Sequence, residues 1–181
     1  MNIPTVKECF KLIHQTEMLD NIRRHSVMVG KVALFIAEGL AKKQCHLNHS
    51  LIYSAALLHD ITKTRSLKTG EFHAETGGEF LLEEGYPEVG DIVRQHVLLD
   101  QYIFHGKPYE AEIVNYADKR VLHEDIESLE KRIDYIYQRY GTSQERKKRI
   151  LWGGKQIILI EQKIFNILGI DPVHLSKYIH Y

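Results

Sequence analysis

The stretch Ala55-Ala56-Leu57-Leu58-His59-Asp60-Ile61-Thr62-Lys63 is an apolar run that passes directly into a histidine and a carboxylate. Read backwards, Leu58, Ala55 and Leu51 recur at helical spacing toward Asn48, a residue suited to opening a helix. The segment is therefore predicted to be a helix that delivers His59 and Asp60 to the interior. Burying a carboxylate is expensive unless it is paired or coordinates a metal. Adjacent helical residues point about 100° apart, so His59 and Asp60 can share one ion at a helix end. The remaining ligands must then arrive from separate helices, as a bundle provides.

Outward from this stretch, other segments repeat the pattern. Asp20 is placed as the N-cap of a helix with the apolar stripe Ile22, Val29, Val32, Ile36 and Leu40, and His25 falls on that stripe. A helix is expected from about Phe72 to Glu84, stopped by Gly85 and Pro87, with His73 at its start. The next runs from Pro87 to about Leu98 and carries Val89, Ile92, Val93 and His96 on one face. After an irregular segment from Gln101 to Pro108, Tyr109 to Ala117 resumes helix, with Ile113, Val114 and Ala117 inward and Asp118 at that inward face. Three inward histidines beside two inward carboxylates make a metal site the expected explanation, since imidazole suits transition ions and carboxylates can bridge a pair of them.

The flanks are helical too. Thr5 or Pro4 opens a first helix with Val6, Phe10 and Ile13 on one side. Asp125 to Tyr140 reads as one amphipathic helix, and Thr142 or Ser143 caps a long last helix through Leu168, interrupted at Gly153-Gly154. Asp171-Pro172 starts a short terminal turn, and Gly70 marks a loop. No alternating strand pattern and no internal repeat stands out, so the predicted fold class is all-α.

Composition bounds the function. The 181 residues fit one domain, or one domain with a helical extension. Lys+Arg and Asp+Glu are both 24, and this neutrality argues against a general nucleic-acid coat protein or a polybasic membrane binder. The 11 histidines are in excess. Cys9 and Cys45 cannot form a disulfide framework, the first residues lack the pattern of a signal peptide, and no apolar run approaches the roughly 20 residues that span a bilayer. A soluble, cytoplasmic protein is expected.

The ordered series His25, His59-Asp60, His73, His96 and Asp118, with the words His73-Ala74-Glu75-Thr76-Gly77, Ile92-Val93-Arg94-Gln95-His96 and Tyr116-Ala117-Asp118-Lys119, resembles the HD-domain superfamily of metal-dependent phosphohydrolases. The resemblance covers a motif core of roughly residues 20–125 and leaves 126–181 as a C-terminal helical extension of a single HD-type domain. It implies a dinuclear centre of divalent transition ions, iron or manganese, in which Asp60 bridges. His25, His59 and Asp118 would hold one ion, and His73 and His96 the other. It also implies hydrolysis of a phosphorylated small molecule, a nucleotide or dinucleotide, by a metal-activated water; the balanced charge, for its part, predicts no nucleic-acid polymer and no membrane as partner. Lys63 matches a lysine that follows the His-Asp pair in relatives and would meet a substrate phosphate; Lys119 and Arg120 are further candidates for holding that anion. Arg24 is read as an exposed helix residue.

Two alternatives stay open: a mixed-valent di-iron oxygenase built on the same ligand set, and a non-catalytic, metal-containing ligand sensor. Gly85-Tyr86-Pro87 spells the name of the cyclic-dinucleotide-hydrolysing branch, but no His-His-Glu precedes it, so it is taken as a helix stop and restart. His14, His46, His49, His105, His123, His174 and His180 fit no ligand spacing and are assigned surface or capping roles, with His105 and Tyr102 candidates for a pocket mouth. The helices from Asp125 onward are a candidate homodimer surface.

Overall fold

A computed structural model describes residues 1–179 and is all-α apart from one very short hairpin. Helix α1 (Val6–Gln15) opens at Thr5, whose hydroxyl accepts from the Glu8 amide while the Glu8 carboxylate accepts from the Thr5 amide at 2.7 Å. Helix α2 (Asp20–Ala41) is the central rod, with Val29, Val32, Ile36 and Leu40 fully buried. Each such side chain contributes roughly 1.5–3 kcal/mol of hydrophobic stabilisation. Its N-cap is Leu19 rather than the expected Asp20. Asp20 lies in the first turn instead, where its negative charge complements the helix dipole and pairs with Arg23 and Arg24.

Helix α3 (His49–Leu58) begins at Asn48, whose side chain accepts from the Leu51 amide. It ends just before His59, and residues 59–62 form a tight turn held by Ile61 N donating to Leu58 O and Lys63 N donating to Asp60 O. Helix α4 (Lys63–Thr69) then starts, a short element that the sequence did not announce because it buries none of its residues and so carries no apolar period. Helices α5 (His73–Glu83) and α6 (Pro87–Arg94) form a hairpin; Gly85 has φ +86°, and Pro87 occupies the first turn of α6. Here Gly85-Tyr86-Pro87 is indeed a stop and restart. Helix α6 ends at Arg94, earlier than the expected Leu98, and residues 95–98 turn.

Helix α7 (Glu110–Arg120) is buried along almost its whole length and packs against α2, α3 and α6. The predicted helix from Asp125 is corrected at its start. Strands β1 (Val121–Leu122) and β2 (Asp125–Ile126) pair antiparallel, Val121 with Ile126 and Leu122 with Asp125, around a turn in which His123 has φ +58°. Two-residue strands are too short to show alternation. Helix α8 (Leu129–Tyr140) begins only after Ser128, whose hydroxyl accepts from the Lys131 amide. Helix α9 (Gln144–Leu168) follows the Ser143 cap and runs unbroken through Gly153-Gly154. A Cβ on Gly154 would lie 3.1 Å from Ile133 Cδ1, so this glycine lets α8 and α9 approach rather than interrupting α9. A 3-10 turn (Pro172–His174) and α10 (Leu175–Tyr178) complete the described chain; His180 lies outside it.

Helices α7 and α9 are joined by buried charge. Lys163 Nζ donates to both Glu112 carboxylate oxygens at 2.7 and 2.9 Å and to Ile103 O at 2.8 Å. Beside this pair, Tyr116 Oη donates to Glu161 at 2.5 Å, and Arg120 reaches Tyr116, Glu161 and the carbonyls of Glu127 and Pro172.

Candidate metal centre

Five segments converge on one buried spot. His25 comes from the first turns of α2, and His59 and Asp60 from the turn that ends α3. His73 starts α5, His96 lies in the turn after α6, and Asp118 sits near the end of α7. His25 Nε2 is 3.1 Å from Asp118 Oδ1, and His59 Nε2 lies 3.7 Å from that same oxygen and 3.3 Å from Asp60 Oδ2. Asp60 Oδ1 faces the other way, 3.2 Å from His73 Nε2 and 3.6 Å from His96 Nε2, which are 3.2 Å from each other. Potential ligand atoms of His25, His59 and Asp118 all lie within 4.8 Å of one another, as do those of His59, Asp60 and His96. Asp60 thus stands between two groups of imidazoles.

Backbone carbonyls fix the ring tautomers. His25 Nδ1 lies 2.9 Å from His123 O, His59 Nδ1 2.8 Å from Ala56 O, and His96 Nδ1 2.7 Å from Val93 O. A carbonyl only accepts, so each Nδ1 donates, and in the neutral ring each Nε2 keeps a bare lone pair directed at the cluster. Lone pairs on nitrogen therefore face carboxylate oxygens with no proton between them. His59 Nε2 and Asp60 Oδ1 are buried and have no hydrogen-bond partner. Such atoms cost stability unless a cation fills the gap. The donor set, mixed imidazole and carboxylate, fits divalent transition ions.

The titration behaviour follows. Burial pushes His96 down to about 4 and also lowers His25, the latter against the pull of Asp118, so both rings are neutral and ready to ligate near pH 7. At His59 burial opposes protonation, but Asp60 and Asp118 raise its pKa. Burial would raise both carboxylates, yet Lys63 and His59 hold Asp60, and Lys119, His25 and Arg132 hold Asp118, well below the usual range.

Second contacts orient the ligands. Thr62 Oγ1 donates to His73 O at 2.9 Å, while Asn115 Nδ2 donates to the carbonyls of Gln95 and His96 at 3.1 and 2.9 Å. Lys63 Nζ is 2.8 Å from Asp60 Oδ2, and Lys119 Nζ is 2.6 Å from Asp118 Oδ2. Both lysines singled out by sequence therefore stand at the cluster. Arg120 does not: its guanidinium points to the α7–α9 junction and is filled by the partners described above, so its assignment to substrate is corrected to a structural one. Arg24 pairs with Asp20 and Glu124 on the surface. Sequence reading missed two contributors. His123, set aside as a surface histidine, supplies the carbonyl that locks His25, and Arg132 brings Nη2 to 3.5 Å from Asp118 Oδ1. Arg132 follows Leu129 at helical spacing on the inward side of α8, but its spacing alone could not separate it from the charged residues around it.

The HD domain family model matches residues 22–133, most of the chain and all of the cluster, and the chain belongs to the HD-domain family. With this family and this donor set it is, by class, an HD domain with a candidate centre for divalent metal ions. It is similar to Ribonuclease Y of Rhodopirellula baltica, 25% identical over 173 residues that make up 81% of this chain and 30% of that protein. The chain thus spans less than a third of that relative's length. Its fold is similar to the crystal structure of a predicted HD superfamily hydrolase from an uncultured Thermotogales bacterium, with a TM-score of 0.51, 21% identity, and coverage of 91% of this chain and 94% of that one. Among the described residues no helix is long and apolar enough to cross a membrane.

Proposed function

We propose that this protein hydrolyses a phosphorylated small molecule, a nucleotide or dinucleotide, at a dinuclear centre. The observation that carries the reading is the placement of Asp60, one oxygen toward His59 and the other toward His73 and His96, with a lysine on each carboxylate. His25, His59 and Asp118 would hold one ion, His73 and His96 the second, and Asp60 both. Bound iron or manganese ions would supply an activated water at neutral pH and neutralise charge in an in-line displacement.

The chain's own residues do the rest. The carbonyls of Ala56, Val93 and His123 hold three imidazoles in one tautomer, so the ligand set is organised before anything binds. The burial of His59, Asp60 and His96 limits bulk water at the reacting centre, whereas the His73 and Lys63 side chains are each 25% exposed and mark the open side. Lys63 and Lys119 would orient the phosphoryl group as point charges. One contiguous core, reaching from Cys9 to Ile179, supports reading the chain as a single HD-type domain in which α8 and α9 are an extension. Overall neutrality supports a small substrate over a long polyanion, and the free cysteines Cys9 and Cys45 suit a reducing, cytoplasmic setting.

The test is metal analysis of the purified protein, followed by an anaerobic screen of phosphorylated metabolites with manganese. Phosphate release from a nucleotide is the expected result, and it excludes an obligatory reaction with oxygen. Full metal loading with no turnover of any candidate would favour the sensor reading. The likeness to Ribonuclease Y favours RNA as a second reading, and cleavage of a labelled oligonucleotide in preference to every small phosphoester would establish it.

A further inference from the structure

Arg120 at the end of α7 is buried and Arg132 of α8 nearly so, and they are satisfied very differently. Around Arg120 the donors meet two carbonyls, a phenol oxygen and a carboxylate. Arg132 has a side chain only 11% exposed, and its Nε is buried without any acceptor. Its nearest anion is Asp118 Oδ1 at 3.5 Å. That oxygen is also the one turned toward His25 and His59, so it belongs to the ligand set. Once a cation takes it, the guanidinium loses its counter-charge as well as lacking an acceptor at Nε. The Tyr135 ring, 5.8 Å from the guanidinium carbon, supports the group without neutralising it. Lys63 and Lys119 are in the same position, each paired to a carboxylate oxygen of the ligand set. Three cations from α4, α7 and α8 therefore surround two carboxylates that metal would absorb.

We propose that Arg132 is a substrate-binding residue that, with Lys63 and Lys119, grips a dianionic phosphoryl group and selects a phosphomonoester or terminal phosphate over an internal diester. The inference rests on the phosphohydrolase reading and deepens it. A planar guanidinium presents two parallel N–H groups to two phosphoryl oxygens, which an ammonium cannot. A monoester carries close to two negative charges near pH 7, as its second pKa is about 6, whereas an internal diester carries one. A rim of three cations therefore discriminates in favour of the monoester, and the arginine that completes it comes from a helix beyond the last His/Asp ligand.

The experiment uses metal-loaded wild type, Arg132→Ala and Arg132→Lys, with metal content, inorganic phosphate affinity by calorimetry, and kcat/KM on p-nitrophenyl phosphate and bis(p-nitrophenyl) phosphate. Arg132→Ala is expected to keep its metal, to bind phosphate about 10- to 100-fold more weakly and to lose a similar factor on the monoester, with a smaller loss on the singly charged diester. Millimolar guanidinium ion should restore part of the loss. Arg132→Lys keeps the charge and stem, guards against a folding defect, and is expected to fall between the two. Loss of metal in step with phosphate binding in both variants would assign Arg132 to positioning Asp118 and overturn the proposal, as would undiminished phosphate binding in Arg132→Ala or no phosphate binding by the wild type. Phosphate bound through Arg132 by an enzyme that turns over no phosphoester would instead overturn the hydrolase reading and leave this site standing.

Discussion

Helix α7 buries charge on two faces. Toward α9, Lys163 donates two hydrogen bonds to Glu112, and Tyr116, Arg120 and Glu161 close a second group. Toward α2 and α3, Asp118 faces two ring nitrogens whose neutral rings offer it no proton, and nearby His59 Nε2 and Asp60 Oδ1 have no hydrogen-bond partner. Both regions are deeply buried, and the charges are as costly to desolvate in one as in the other. What separates them is completeness. The α9 side is saturated and holds two helices together; the α2 side is left open in a way that only a cation completes. Burial of charge marks neither as functional, whereas unfilled donor and acceptor capacity does.

The largest expected effect comes from removing the shared carboxylate. Asp60→Ala should lose bound metal and at least about 1,000-fold in turnover, ~4 kcal/mol of barrier, with helix content retained. Metal analysis, turnover and circular dichroism on one sample check this, and activity surviving in a metal-free variant would collapse the contrast. The saturated side should answer in stability instead. Lys163→Ala strands Glu112 and is expected to cost about 3–5 kcal/mol in denaturant unfolding while each folded molecule keeps its metal; replacing both residues with apolar ones should come out near neutral.

A subtler difference is visible in acid. In metal-free protein, histidine NMR should show His96 titrating at about 4, against an ordinary value near 6.5. The unfolded chain then binds a proton that the native form refuses in that window, so this group contributes stability above the unfolded value and loses it as pH falls through the folded one. A midpoint near 6.5 would mean the ring is not sequestered. Smallest is Tyr116→Phe, which removes the hydrogen bond donated to Glu161 and the one accepted from Arg120, and should cost about 1–2 kcal/mol without changing metal content.

Much of this was legible in the sequence. The apolar stripes of α2 and α7 identified an all-α fold, and the inward position of His25, His59, Asp60, His96 and Asp118 identified the cluster, because buried polar residues stand out against an apolar period. His73 and Lys63 came from the family pattern, since neither lies on such a stripe. The helix α4 and the β1–β2 hairpin escaped notice because elements that short, or that exposed, carry no period. Arg120 was misassigned for a related reason. Its place after Asp118 suggested the site, but a helix turns each side chain away from its neighbour, and the partners that claimed it lie some 40 to 50 residues further on. Arg132 went unseen because an isolated charge on an amphipathic helix looks like solvent-facing surface until the opposing wall is known.

One backbone detail reaches further than its size. Gly78 and Gly90 touch across the α5–α6 hairpin so closely that a methyl on Gly90 would meet Gly78 O at 2.6 Å, and one on Gly78 would meet Gly90 O at 2.9 Å. His73 and His96 ride at the same open end of that hairpin, so the glycine contact acts as the pivot of a pair of calipers whose tips are two imidazoles. Widening the pivot by a single carbon atom would spread the jaws without altering either tip. The spacing between these two imidazoles is thereby set by two residues that carry no side chain.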